Sequence, residues 1–381
     1  MIYLDHAATS LPKPEAVESA VCWALRSLPS PGRGSSSRAE AAAELLYQLR
    51  LEAAELFDCG AEQVVLTTSA THGLNIAIKS LVGQGDRVVI SSMEHNAVLR
   101  PLYALGADIQ IAGKEPFAAE RMLQDLDELL TPDTKLCVMT HVSNVFGWVL
   151  PVEAASKLCR ERGIPFVLDA SQSAGCLPVS MGKLEAAFIA MPGHKGLLGP
   201  QGTGLLLCGH TAKPLIEGGT GSLSRSPEMP EFLPDRLEAG THNMPGAAGL
   251  LAGIRAVRKL GLSEILRREQ ALADHVKHRL RAMDGIRAYD GNRQTGVVSF
   301  VPANQDSVLF GEALSQRWDI ALRAGLHCAP LAHQAAGTIE SGTVRVSFGP
   351  ETTLEETDLF LDAVELLRKE TKDAPGALLP V

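Results

Sequence analysis

The segment Pro192-Gly193-His194-Lys195-Gly196-Leu197-Leu198-Gly199-Pro200-Gln201-Gly202-Thr203-Gly204 joins two apolar runs, residues 186–191 and 205–208. That arrangement predicts strand, glycine-rich turn, strand. One lysine, Lys195, follows the first run among five glycines, so little bulk surrounds it. Burial in such a place strips the charged amine of its hydration and lowers its pKa. A neutral amine then attacks carbonyl groups. A solvated lysine in a tight hairpin would account for the same letters, and the surrounding chain has to decide between the two.

Upstream, short apolar runs at 64–67, 87–91, 107–111, 135–140 and 164–168 read as strands. Helical spacing occupies 14–28, 40–57, 122–130 and 152–162, and a Gly/Pro/Ser-rich loop holding Arg33 spans 29–37. Alternating helices and uninterrupted apolar strands predict a mostly parallel sheet covered on both faces. Thr71, His95, Asn144, Asp169 and Lys195 each follow the carboxyl end of a predicted strand, where open α/β sheets bind ligands. Each has a plainer explanation: a helix cap for His95, a turn for Asn144, an ion pair for Asp169. Their repetition at one sheet edge favours a site. Ser69-Ala70-Thr71-His72-Gly73 opens a helix whose first N–H groups point outward, a seat for phosphate as well as an ordinary cap.

Downstream, a long loop runs from Gly218 to Pro234, and neither a P-loop nor G-x-G-x-x-G occurs. Helices are predicted at 246–260, 265–283 and 354–371, and strands of a smaller sheet at 297–301, 320–323 and 343–347. The Pro/Gly/Ala-rich tail at 373–381 is expected to fray. With 381 residues, two lobes are expected. These are a large domain over 1–255, whose N-terminal segment is free to pack on its neighbour, and a small domain over 256–381. A net charge of −9 argues against a nucleic-acid partner. No apolar run is long enough for a bilayer, and Met1-Ile2-Tyr3-Leu4-Asp5-His6 lacks the regions of a signal peptide, so the cytoplasm is the expected compartment.

Seven cysteines, an odd count without any C-x-x-C, argue against a disulfide framework and a zinc site. Cys137 and Cys208 lie in apolar runs and read as core. Cys328 follows Arg323-Ala324-Gly325-Leu326-His327 in a turn-like segment, where a thiol beside a histidine and near an arginine can be activated.

A lysine, an aspartate on a neighbouring strand end, a phosphate seat and a flanking histidine are what pyridoxal 5'-phosphate requires. With these residues in place the chain resembles the class V aminotransferase group, and within it the cysteine desulfurases and selenocysteine lyases. The resemblance runs from Tyr3-Leu4-Asp5-His6-Ala7-Ala8 through Asp169-Ala170-Ser171-Gln172 and Gly193-His194-Lys195 to Arg323-Ala324-Gly325-Leu326-His327-Cys328. It implies a fold-type-I pyridoxal-phosphate enzyme, with a large mostly parallel sheet domain and a smaller α+β domain carrying Cys328 and Arg345.

By that resemblance Lys195 is the Schiff-base lysine, Asp169 the partner of the pyridine nitrogen and His194 a phosphate contact. Ala70 and Thr71 form the phosphate-binding turn. Asn144 and Gln172 hold the ring hydroxyl side, and His95 stacks on the ring and assists proton transfer. Thr241 reaches the phosphate of a neighbouring subunit, which implies a homodimer. Arg345 grips the substrate carboxylate, with Asn144, His6 and Ala8 near the substrate. Cys328 takes sulfur from L-cysteine as a persulfide, leaves alanine and hands the sulfur to an acceptor, with a sulfur-acceptor protein as a candidate partner.

Three departures from relatives stand out: Pro192 at a phosphate-binding serine, Ser36 at a histidine of the early loop, and Leu326 at a histidine before the His-Cys pair. They bear on substrate preference more than on fold. The alternatives are a selenocysteine lyase acting on L-selenocysteine, an aminotransferase or epimerase that would not need Cys328, and a sulfur-carrier scaffold without catalysis.

Overall fold

The computed structural model describes residues 1–31, 36–303 and 305–373. Strand β1 (Ile2–Tyr3) opens the chain but pairs far away. The next seven build one sheet: β2 (Val64–Thr67), β3 (Arg87–Ser91), β4 (Asp108–Ala112), β5 (Thr134–Thr140), β6 (Phe166–Asp169), β7 (Phe188–Pro192) and β8 (Gly204–Cys208). Their spatial order is β2-β8-β7-β6-β5-β3-β4, and β8 alone runs against the others. The uninterrupted apolar runs have a direct cause. Val89, Cys137, Leu168, Ile189 and Leu207 face one core while Val88, Val138, Val167, Phe188 and Leu206 face the other, so period-2 alternation buries both faces. Cys137 and Cys208 are buried there, as their surroundings predict.

From β3 the chain proceeds outward to β4, and from β5 it proceeds the opposite way to β6. A crevice therefore opens at the carboxyl ends of β3 and β5, where the direction of winding reverses.

The second lobe holds β9 (Ile286–Ala288), β10 (Val297–Pro302), β11 (Ile320–Ala321), β12 (Arg323–Gly325) and β13 (Thr343–Ser347). Four of them form an antiparallel sheet ordered β12-β13-β10-β9. The single strand expected over 320–323 is instead two: β11 pairs in parallel with β1, and β12 pairs with β13. Leu4, fully buried, packs with Phe300, Phe310, Val344 and Phe360 of this lobe, so a residue that precedes the large sheet in sequence is seated in the core of the second lobe.

Helices over Asn96–Leu105, Ser307–Trp318 and Pro330–Ala336 escaped the sequence reading. The first carries Pro101 in its interior, which argues against a helix on local grounds. Ser36, singled out in the sequence, caps the helix Ser37–Phe57 by accepting from Ala39 N–H. Arg33 and the tail beyond residue 373 lie outside the described residues. Among the described residues no helix is long and apolar enough to cross a membrane.

Candidate active site

An open cleft holding about 220 Å³ of room for a ligand lies at the carboxyl edge of the large sheet. Ala8, Ala70, Thr71, His95, Asn144, Asp169, Gln172, His194, Lys195 and Arg345, all singled out from sequence, line it.

Lys195 sits on the turn after β7. Burial, foremost, holds its amine down to about 8 from the ordinary 10.5; Arg345 and Arg323 push the same way, while Asp169 and Asp5 oppose. Two loops meet backbone to backbone beneath it. A Cβ on Gly196 would stand 2.4 Å from the carbonyl of Ala174, and Gly175, at φ +97°, abuts Gly196. The peptide carbonyl preceding Lys195 is held from the other side. His194 O accepts from Lys13 Nζ at 2.7 Å, Ser10 N–H at 3.0 Å and Thr9 Oγ1 at 3.0 Å. The lysine's position is thus fixed by the N-terminal segment and by the turn after β6.

Asp169 ends β6, buried, with Oδ1 accepting from Ser171 N–H at 2.9 Å. The helix Ala70–Leu81 begins at the cleft. Ser69 Oγ takes the N–H of His72 and Ser69 O takes that of Gly73, which leaves Ala70 and Thr71 N–H for a ligand. His194 Nδ1 is buried with no partner among the described residues. Burial chiefly, with help from Lys195 and Lys13, lowers its ring to about 4, so it is neutral at pH 7. Two free helix N–H groups, an orphaned ring nitrogen, a buried carboxylate and a low-pKa amine around one cleft fit a phosphorylated pyridine aldehyde. Pro192, buried at the end of β7, lines the cleft without offering a donor.

His95 does cap a helix: its Nδ1 accepts from Ala97 N–H at 3.0 Å. That bond leaves the ring proton on Nε2. Burial, foremost, lowers its pKa. The plain reading of His95 and its place in the cleft both hold.

Arg345, 1 % exposed on β13, donates through Nη2 to Asp5 Oδ1 at 2.7 Å and through Nη1 to Asn144 O at 2.9 Å. Asn144 Nδ2 donates to His327 O at 2.7 Å, and Gln172 Nε2 to Ala7 O at 3.0 Å. Cys328 is exposed and stands beside the cleft rather than among its lining residues. Its carbonyl accepts from Asn96 N–H at 2.8 Å. His327 and Cys328 are both left-handed, at φ 48° and 58°, a costly conformation for two consecutive non-glycine residues. Those two hydrogen bonds hold the strained turn against the large lobe.

Two predicted residues lie elsewhere. His6 lines an adjoining cavity that shares Lys195 and Gln172 with the cleft, and burial lowers its ring to about 4. Thr241 is exposed and lines a separate hollow with Thr67, Thr68 and His72. Sequence reasoning missed Arg323 and His327 as lining residues. His327 is buried, and its Nε2 faces the carbonyl of Thr343, which only accepts. The ring proton therefore sits on Nε2 and Nδ1 is a bare acceptor. The only sequence signal for either residue was closeness to Cys328.

A family model described as Aminotransferase class-V matches residues 2–360. A probable cysteine desulfurase of Methanothermobacter thermautotrophicus is 30% identical over 380 residues, covering 96% of this chain and 94% of the relative. A cysteine desulfurase of Klebsiella pneumoniae is 32% identical over 388 residues, covering 97% and 94%. The apo structure of a cysteine desulfurase from Thermococcus onnurineus superimposes with a TM-score of 0.89 at 32% identity, covering 97% of this chain and 95% of that one.

Proposed function

The chain belongs to the class-V aminotransferase family, among the cysteine desulfurases, and from that premise we propose that it converts L-cysteine to L-alanine and carries the sulfur as a persulfide on Cys328. One observation carries the reading. A low-pKa lysine, a buried aspartate, a helix N-terminus and a buried arginine converge on one cleft, with a pinned thiol turn beside it.

Lys195, Asp169, His194, Ala70 and Thr71 would hold pyridoxal 5'-phosphate, with Asn144, Gln172 and His95 about its ring. When bound, it supplies an electron sink for the bonds around the substrate's α-carbon. Arg345 offers positive charge to the substrate's α-carboxylate, with Ala8 and Asn144 beside it. Lys195 Nζ, once free, moves the proton at the α-carbon, since its low pKa leaves a useful neutral fraction near pH 7. His95 keeps its Nε2 proton available toward the cleft. Cys328 Sγ, as thiolate, then bonds to the substrate sulfur. The Cβ–S bond breaks, and its electron pair stays with the three-carbon skeleton that becomes alanine. Thr241, exposed and away from its own cleft, supports a homodimer in which it serves the neighbouring site. Transfer of the persulfide to an acceptor completes the cycle, in the cytoplasm.

The test uses the holoenzyme. Borohydride reduction and peptide mapping should tag Lys195. Cys328→Ala should abolish alanine and sulfide formation from L-cysteine while leaving cofactor absorbance intact. Unchanged turnover in that variant, or a tag on another lysine, overturns the assignment. L-Selenocysteine assayed in parallel reads out substrate preference.

A further inference from the structure

Arg323 is the one cleft-lining arginine with no hydrogen bond or ion pair among the described residues, although it is exposed and well placed to make them. Its position is fixed by register. Arg323 on β12 is the direct partner of Arg345 on β13, so both side chains leave the same face of the small sheet. Like charges placed directly across strands repel, and the fold carries that cost next to its cleft. The charge of Arg323 is felt inside: it lowers the pKa of Lys195, His95 and Arg345.

Arg345 meets an incoming carboxylate with its fork already partly engaged, and its Nε is the nitrogen with no partner among the described residues. One terminal nitrogen is engaged by Asp5, the other by the Asn144 carbonyl, and the side chain is almost wholly buried. Its charge is already matched by Asp5. Arg323 has no such counter-ion. Adding one carboxylate balances the set, two arginines against two carboxylates. A guanidinium with free parallel N–H groups suits a planar carboxylate better than a single sulfur atom. The phosphate seat, at the start of the helix Ala70–Leu81, has its own free N–H donors and does not need this residue.

We propose that Arg323 is a direct contact for the α-carboxylate of the amino-acid substrate, completing with its free fork the anion site that Arg345 and Asp5 begin. The inference rests on the amino-acid reading of the cleft and names a specificity-determining residue beyond it. A substrate without the carboxylate should gain nothing from Arg323.

The experiment compares wild-type, Arg323→Gln and Arg323→Lys holoenzymes. L-Alanine affinity is read by cofactor absorbance, KM and kcat for L-cysteine by alanine release, and cysteamine serves as the carboxylate-free probe. Because Arg323 is exposed, thermal melting should show the variants folded. Losing a charged hydrogen bond predicts a rise of about 10- to 100-fold in both L-alanine Kd and L-cysteine KM in Arg323→Gln. Arg323→Lys should recover part of the loss, cysteamine binding should not change, and kcat should fall less than KM rises. Unaltered L-alanine affinity overturns the proposal. So does a defect confined to iodoacetamide alkylation of Cys328, which would assign Arg323 to the sulfur instead. A wild-type holoenzyme that binds L-alanine in an Arg323-dependent way but releases no alanine from L-cysteine would sink the desulfurase reading and leave the carboxylate contact standing.

Discussion

At the scale of single residues, the site depends on keeping one amine uncharged. Lys195 is held near 8 because burial costs its cation more than Asp169 and Asp5 return. The sign follows directly: below that value the amine is protonated and inert, above it neutral and nucleophilic. Mixing apoprotein with pyridoxal 5'-phosphate should therefore give an attachment rate that rises with pH and levels off above about 8. An unperturbed lysine would keep gaining to about 10.4. Stopped-flow absorbance from pH 6 to 10.5 reads this, and a plateau near 10 would show that the cleft does not tune the amine. Lys195, Asp169 and His95 were legible in the sequence because each follows a strand whose apolar run is unmistakable. Arg323 was not, because its significance lies in standing opposite Arg345, 22 residues further along (345 − 323 = 22), across a hairpin no local pattern announces.

Among elements, what matters is how loops meet. The lysine turn and the turn after Asp169 touch where Gly196 faces the carbonyl of Ala174. Gly196→Ala inserts a methyl at 2.4 Å from that oxygen, so one loop must yield. A destabilisation of about 1–3 kcal/mol is expected, with weaker cofactor retention because Lys195 rides on the displaced turn. Urea unfolding and cofactor titration measure the two. Equal stability and equal retention would mean the loops are not in contact. The seven strands of the large sheet could be read because burial on both faces writes continuous apolar runs. The split between β11 and β12 could not, since Leu322 between them looks like any strand residue. The two halves are separated only by what each pairs with: β1 from the start of the chain, and β13 from near its end. The helix Asn96–Leu105 was hidden by Pro101 in its interior, although its cap, His95, was legible as one.

For the whole molecule, the first thirteen residues act as a tie between lobes. β1 joins β11, Leu4 fills the small-lobe core, Asp5 holds Arg345, and Thr9, Ser10 and Lys13 grip the carbonyl before Lys195. Leu4→Ala should cost about 2–5 kcal/mol, as for a fully buried leucine. It should also expose the neighbouring hairpin, so limited proteolysis near residues 319–328 should quicken. A loss of stability without faster cleavage would show the two to be independent. The same tie orders events during biosynthesis. The segment is made well before its docking partners, β11 and β13. Contacts spanning nearly the full contour of the chain close slowly. Until β11 and β13 are made, residues 2–5 have no docking partners and the cleft has no Arg345, so a nascent chain has no finished pocket and full capture of the vitamin should wait for those strands.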